Sequence, residues 1–153
     1  MDWVHLHLAL NHVPVLGTVF VVFLVAWSWG RNNRGTLRLS LWLCILLSAS
    51  SIAIKFTGDF ALQAIGKPTP DYNHEMIGRH EQSADQAATG VFVLGMFAVL
   101  AVFLSRAGRP APKWALAAVI VVGLGTFALM ARTANYGGHI RHPEIQSGVV
   151  QHP

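Results

Sequence analysis

A single cysteine, Cys44, stands in 153 residues, which rules out an internal disulfide, a four-cysteine zinc site and a CxxCH haem attachment. Charge is scarce as well, with Asp, Glu, Lys and Arg together only 12% of the chain. The acids number seven, Asp2, Asp59, Asp71, Glu75, Glu81, Asp85 and Glu144, and none lies inside a long apolar run. At 53% hydrophobic residues and a mean hydropathy of +0.46, the composition argues against a water-soluble globule. The net charge of +4 does not point to nucleic acid, because the basic residues sit between apolar runs. Hydrolytic motifs are missing. His74-Glu75 has Gly78 where a HExxH zinc motif needs its second histidine, there is no serine elbow, and the Gly-Leu-Gly of 123–125 follows no strand.

What the sequence does hold is four apolar runs near the length needed to cross a bilayer, about 8–29, 37–56, 86–105 and 114–135. The third and fourth show no polar face at helical period, as buried helices of a soluble bundle would. The expectation is an all-α, integral membrane, antiparallel four-helix bundle, with 1–153 as one domain and residues 57–85 as a long connecting loop. The N-terminal run has no basic leader region and ends in Trp27-Ser28-Trp29-Gly30, so it reads as a retained helix. Arg31, Arg34 and Arg38 in one short connection, and Arg106, Arg109 and Lys113 in the other, carry no acid between them. The positive-inside rule places both in the cytoplasm of a bacterial inner membrane, with the long loop and both termini on the outer, periplasmic side. Gly90, Gly95, Gly123 and Gly125 lie within the third and fourth runs and read as close helix packing.

The eight histidines, at 5, 7, 12, 74, 80, 139, 142 and 152, all fall on the outer side of this plan. His5 and His12 are two helical turns apart. A helix starting near Asp71 or Asn73 would set His80 on one face with Ala84, Ala87 and Val91, small residues that leave room for a flat ligand. Gly137-Gly138 would end the last helix and fold His139 and His142 back over the bundle. Imidazoles from facing helices are a common way for bundles to hold haem. Arg79, Arg132 and Arg141 would neutralise the propionates, and Glu81 or Asp85 could orient a ligating ring. The competing reading is a non-haem zinc or copper site from His5, His7, His139, His142 and Glu144. The plainest alternative has interfacial histidines bonding only to lipid headgroups and loop backbone.

His7-Leu-Ala-Leu-Asn-His12-Val-Pro14 resembles the HPxxVHFP signature of a bacterial family of four-helix membrane proteins associated with haem binding. The resemblance continues through Thr57-Gly58-Asp59, His80-Glu81 and Tyr136-Gly137-Gly138, in that order along the chain. Leu8, Asn11 and Val13 depart from the signature. The resemblance implies a membrane b-type cytochrome with His12 and His80 as axial ligands of haem b. His7, His139 and His142 stand in reserve or form a second site. The expected activity is electron transfer with a quinone or a partner redox subunit, the chain acting as an electron-transfer protein or subunit, or as a homo-oligomer, in contact with the lipid bilayer. The second expectation is an accessory or structural membrane subunit. Transport is disfavoured because the apolar runs carry almost no charge at their centres.

Overall fold

The computed structural model describes residues 2–65, 74–106 and 109–141. Its elements are α1 (Trp3–Leu10), α2 (His12–Gly30), α3 (Arg34–Ile65), α4 (His74–Leu104) and α5 (Lys113–Arg141), with no strand among the described residues. α1 and α2 together form one apolar stretch interrupted at Asn11. Pro14 explains the interruption: it has no N–H for the Leu10 carbonyl, and its ring collides with that carbonyl in a straight helix. The result is four helices, Trp3–Gly30, Arg34–Gln63, Glu75–Leu104 and Lys113–Ile140, long and apolar enough to cross a membrane.

Neighbouring helices are antiparallel because their connections are short. At the first, Asn32 takes a left-handed conformation (φ 51°), which asparagine tolerates better than most residues. Its amide donates to the Trp29 carbonyl, and that of Asn33 to the Ser28 carbonyl, closing a Schellman turn. Asn33 then caps α3 by accepting from the Thr36 amide at 3.1 Å. At the second connection the amides of Ala115 and Leu116 donate to the Pro112 carbonyl, so proline opens α5 where it costs no hydrogen bond. α2, α3, α4 and α5 each pack on two neighbours in a ring, and α1 lies along α3.

The core is uneven along the bundle. Toward the arginine-bearing connections it is dense, with Val25, Leu41, Cys44, Leu94, Ala98, Ala101, Leu116 and Val119 almost wholly buried. Toward the opposite end it thins to a small cluster of Ala87, Val91 and Met130. Helices approach through glycine. A methyl group at Gly17 would lie 2.6 Å from Leu47, at Gly90 2.7 Å from the Thr126 hydroxyl, and at Gly95 2.6 Å from the Ser48 hydroxyl. At Gly123 it would strike Val22, whereas Gly125 faces open space. The outward surface is apolar: Leu16 and Val121 are each 68% exposed and Leu46 62%.

The stretch 57–85 is not the loop that hydropathy suggests. α3 continues to Ile65 and α4 already begins at His74, leaving 66–73 outside the described residues. Hydropathy marks where charge begins, and a helix need not stop there. Lys55 reaches Asp59 at 3.9 Å and Arg79 reaches Glu75 at 2.6 Å, pairs one turn apart that suit a solvated helix surface. The last helix also runs on through Gly137 and Gly138 to Arg141, so these glycines do not terminate it.

Candidate functional site

The end of the bundle remote from the arginine connections gathers α1, the last turns of α3, the first turns of α4 and the last turns of α5. His7 projects from α1 against α3, half-buried, with Nδ1 3.0 Å from the Thr57 hydroxyl. That hydroxyl donates its own proton to the Ile54 carbonyl at 2.6 Å. Its oxygen can only accept from the ring, so His7 carries its proton on Nδ1 and keeps a lone pair on Nε2. His80, also half-buried, rests against α5 with Nδ1 2.9 Å from the Thr133 carbonyl. A carbonyl cannot donate, and the same tautomer follows. Two histidines on different helices thus have one nitrogen fixed by a hydrogen bond and the other left as a donor for a ligand, the arrangement typical of metal-bound imidazole.

Glycine backs both rings. A methyl at Gly58 would sit 2.9 Å from Cε1 of His7, and one at Gly137 would sit 3.3 Å from Cε1 and Nδ1 of His80. Thr133 also donates to Ser83 at 2.9 Å and to the Leu129 carbonyl, tying α4 to α5 behind His80. Lys55 bridges α3 to α4 through Asp85 at 3.1 Å. Asp85 is therefore engaged by lysine, and the rings are oriented by threonine groups, not by a carboxylate as the sequence suggests. Two buried polar atoms close by in sequence have no partner among the described residues, Asn11 Oδ1 and His139 Nδ1.

The remaining candidates are dispersed. His12 is exposed at the start of α2. His5 is exposed and bonds through Nδ1 to Asp2 at 2.8 Å. Asp2 caps α1 by accepting from the His5 amide, and this bond, with that from the His5 ring, holds its carboxyl below the usual 3.8. Arg79 is paired with Glu75, and Arg132 lies over the Tyr136 ring at 5.4 Å and donates to its hydroxyl. His142, Glu144 and His152 lie outside the described residues, as do the side chains of His74 and Arg141. Among the described residues no three His, Cys, Asp or Glu side chains come together as a metal cage.

His7, Thr57-Gly58, His80 and Gly137, scattered over the chain, lie in this end of the bundle, whereas His12, the second histidine of the first string, is exposed and makes no contact with them that the structure shows. The roles of Thr57 and Thr133 had little signal in the sequence: Thr57 is visible only as part of a short motif, and Thr133 acts through its backbone carbonyl. Comparison of the chain with protein-family models, curated proteins and solved structures found no match.

Proposed function

We propose that this chain is an integral protein of a bacterial inner membrane that binds haem b at its outer end through His7 and His80. Its role would be to pass electrons between a quinone or partner redox subunit and an acceptor on the outer face. The observation that carries the reading is the oriented histidine pair. The apolar, exposed helix flanks, and two short connections that carry arginines and no acid, support membrane insertion with those connections in the cytoplasm and both termini outside. The residues present fit a haem: a porphyrin supplies four nitrogens of its own and asks the protein for only one or two imidazoles. A zinc or copper site asks for about three or four protein donors converging on one point, and two of those the sequence offers, His142 and Glu144, lie outside the described residues.

Bound haem would supply one-electron chemistry. The chain's part is positional and electrostatic. Thr57 and the Thr133 carbonyl each accept from Nδ1, so that in the neutral form of either ring the lone pair is on Nε2. Gly58 and Gly137 let the two rings seat against the backbones of α3 and α5, and the small buried residues Ala87 and Val91 pack with Met130 in the same half of the bundle. Arg132, at the end of α5, is placed to balance an anionic edge near the membrane surface. His12 is the axial partner implied by the resemblance, but its exposed position makes His7 the better partner for His80.

A reduced-minus-oxidised visible spectrum with iron analysis of the purified protein tests this directly. The expected result is a sharp α-band and about one iron per chain, lost in His7→Ala and His80→Ala and kept in His12→Ala. A normal spectrum in both of the first two variants, or bound zinc or copper with no Soret band, would overturn it.

A further inference from the structure

At the opposite end of the bundle, α3 and α4 part to form an open cleft of about 630 Å³. Its rim carries four arginines: Arg34 and Arg38 from the first turns of α3, Arg106 just beyond α4, and Arg109 in the connection that follows. Among the described residues no carboxylate lines it. The ion pairs of the described residues involve Asp2, Asp59, Glu75 and Asp85, all toward the histidine end, and Arg38, Arg106 and Arg109 take part in none of them. Below the rim the walls become apolar. Trp42 and Ile45 descend on the α3 side, and Val99 and Phe103 on the α4 side. The Arg106 guanidinium stacks on Phe103 at 4.4 Å, joining the two zones.

A rim of arginines above an apolar trough, three of them, Arg38, Arg106 and Arg109, outside those ion pairs, defines a ligand with the opposite halves, an anionic head and a hydrocarbon tail. Guanidinium groups match phosphate oxygens by paired N–H donors. Trp42, 46% exposed, and Phe103, 54% exposed, offer flat apolar surface to a chain lying against them. A soluble anion would satisfy the arginines and leave the trough bare, while a zwitterionic lipid would bring a cation toward four others. We infer that the cleft is a binding site for one anionic phospholipid of the cytoplasmic leaflet, its phosphate held among Arg34, Arg38, Arg106 and Arg109 and an acyl chain laid between Trp42 and Phe103. The site rests on the membrane topology proposed above and is independent of haem.

The test is native mass spectrometry of the full-length protein in detergent, titrated with phosphatidylglycerol, phosphatidylcholine or inorganic phosphate. Wild-type protein should keep one phosphatidylglycerol, and retention should fall at least tenfold in Arg38→Gln/Arg109→Gln. Arg31→Gln removes one positive charge at the same end but outside the cleft, and should retain the lipid. Should the double variant fail to fold, Arg109→Gln alone, in the connection and outside every helix, should still lower retention severalfold. Equal retention by the cleft variants, equal retention of phosphatidylcholine, or displacement by millimolar phosphate would each overturn the site. Alkaline extraction of membranes separates the two claims: a wild-type chain released from the membrane would overturn the topology itself, whereas a firmly embedded chain without lipid preference would overturn only the cleft.

Discussion

His7 and His80 show how little of an imidazole's chemistry is decided by its own identity. Each becomes a ligand candidate because an oxygen that can only accept holds its Nδ1 proton. His5 and His12, on the same N-terminal stretch, are exposed, and His5 is used in capping α1. Sequence alone identified the histidine-rich end and named His80, but it ranked His12 above His7. Five residues turn a helix by about 140°, so the two cannot share a face on one straight helix, and the interruption at Asn11 lies between them. Which of them points inward depends on how α1 lies on α3, a tertiary fact. The glycines offer a test at this scale. Gly58→Ala should push the His7 ring off Thr57 and lose about 1 kcal/mol with that hydrogen bond. Gly78→Ala, on an open face of α4, should be neutral or gain up to about 1 kcal/mol from helix propensity. Thermal unfolding in detergent measures both, and equal effects would mean that Gly58 is not shaped by the ring.

At the scale of the helices, apolar runs located the four described helices that are long and apolar enough to cross a membrane but misjudged the ends. The apolar run of α3 was read as closing near Phe56, yet the helix reaches Ile65. Past that point its stability comes from pairs such as Lys55 with Asp59 and from packing of Ala61, which hydropathy does not register. Gly137 misled for a related reason. Glycine before a polar tail usually signals a helix end, but here the residue lets a ring from α4 approach α5. The glycines inside α5 separate packing from flexibility. Gly123→Ala drives a methyl into Val22 and should destabilise the bundle by roughly 1–3 kcal/mol. Gly125→Ala, two residues away and facing open space, should be stabilising or silent. If the two variants unfold alike, the α2 and α5 contact does not depend on glycine.

The whole molecule is polarised along its axis. Among the described residues, one end has a dense core and the arginine-bearing connections; the other has a thin core, the carboxylates and the oriented histidines. Sequence made this polarity legible, because charge segregation needs no tertiary information. It did not reveal the arginine cleft, which exists only where the ends of α3 and α4 diverge. Helix length bears on how such a molecule sits in a bilayer. α3 has 32 residues, which at about 1.5 Å each give about 48 Å, against a hydrocarbon thickness of about 30 Å. The surplus must emerge, and the position of Lys55, Asp59 and Asp85 puts it at the histidine end. In the proposed topology Gln63 would stand in water on one side and Asn33 on the other; both are exposed. Cys44, fully buried, should be silent toward thiol reagents and leave the background clean. In intact cells whose outer membrane has been permeabilised, a membrane-impermeant maleimide should label Gln63→Cys and spare Asn33→Cys until the inner membrane is opened. The reverse pattern would turn the bundle over, moving the histidine pair to the cytoplasm and the arginine cleft to the outer leaflet; labelling of both in sealed membranes would mean that α3 does not cross.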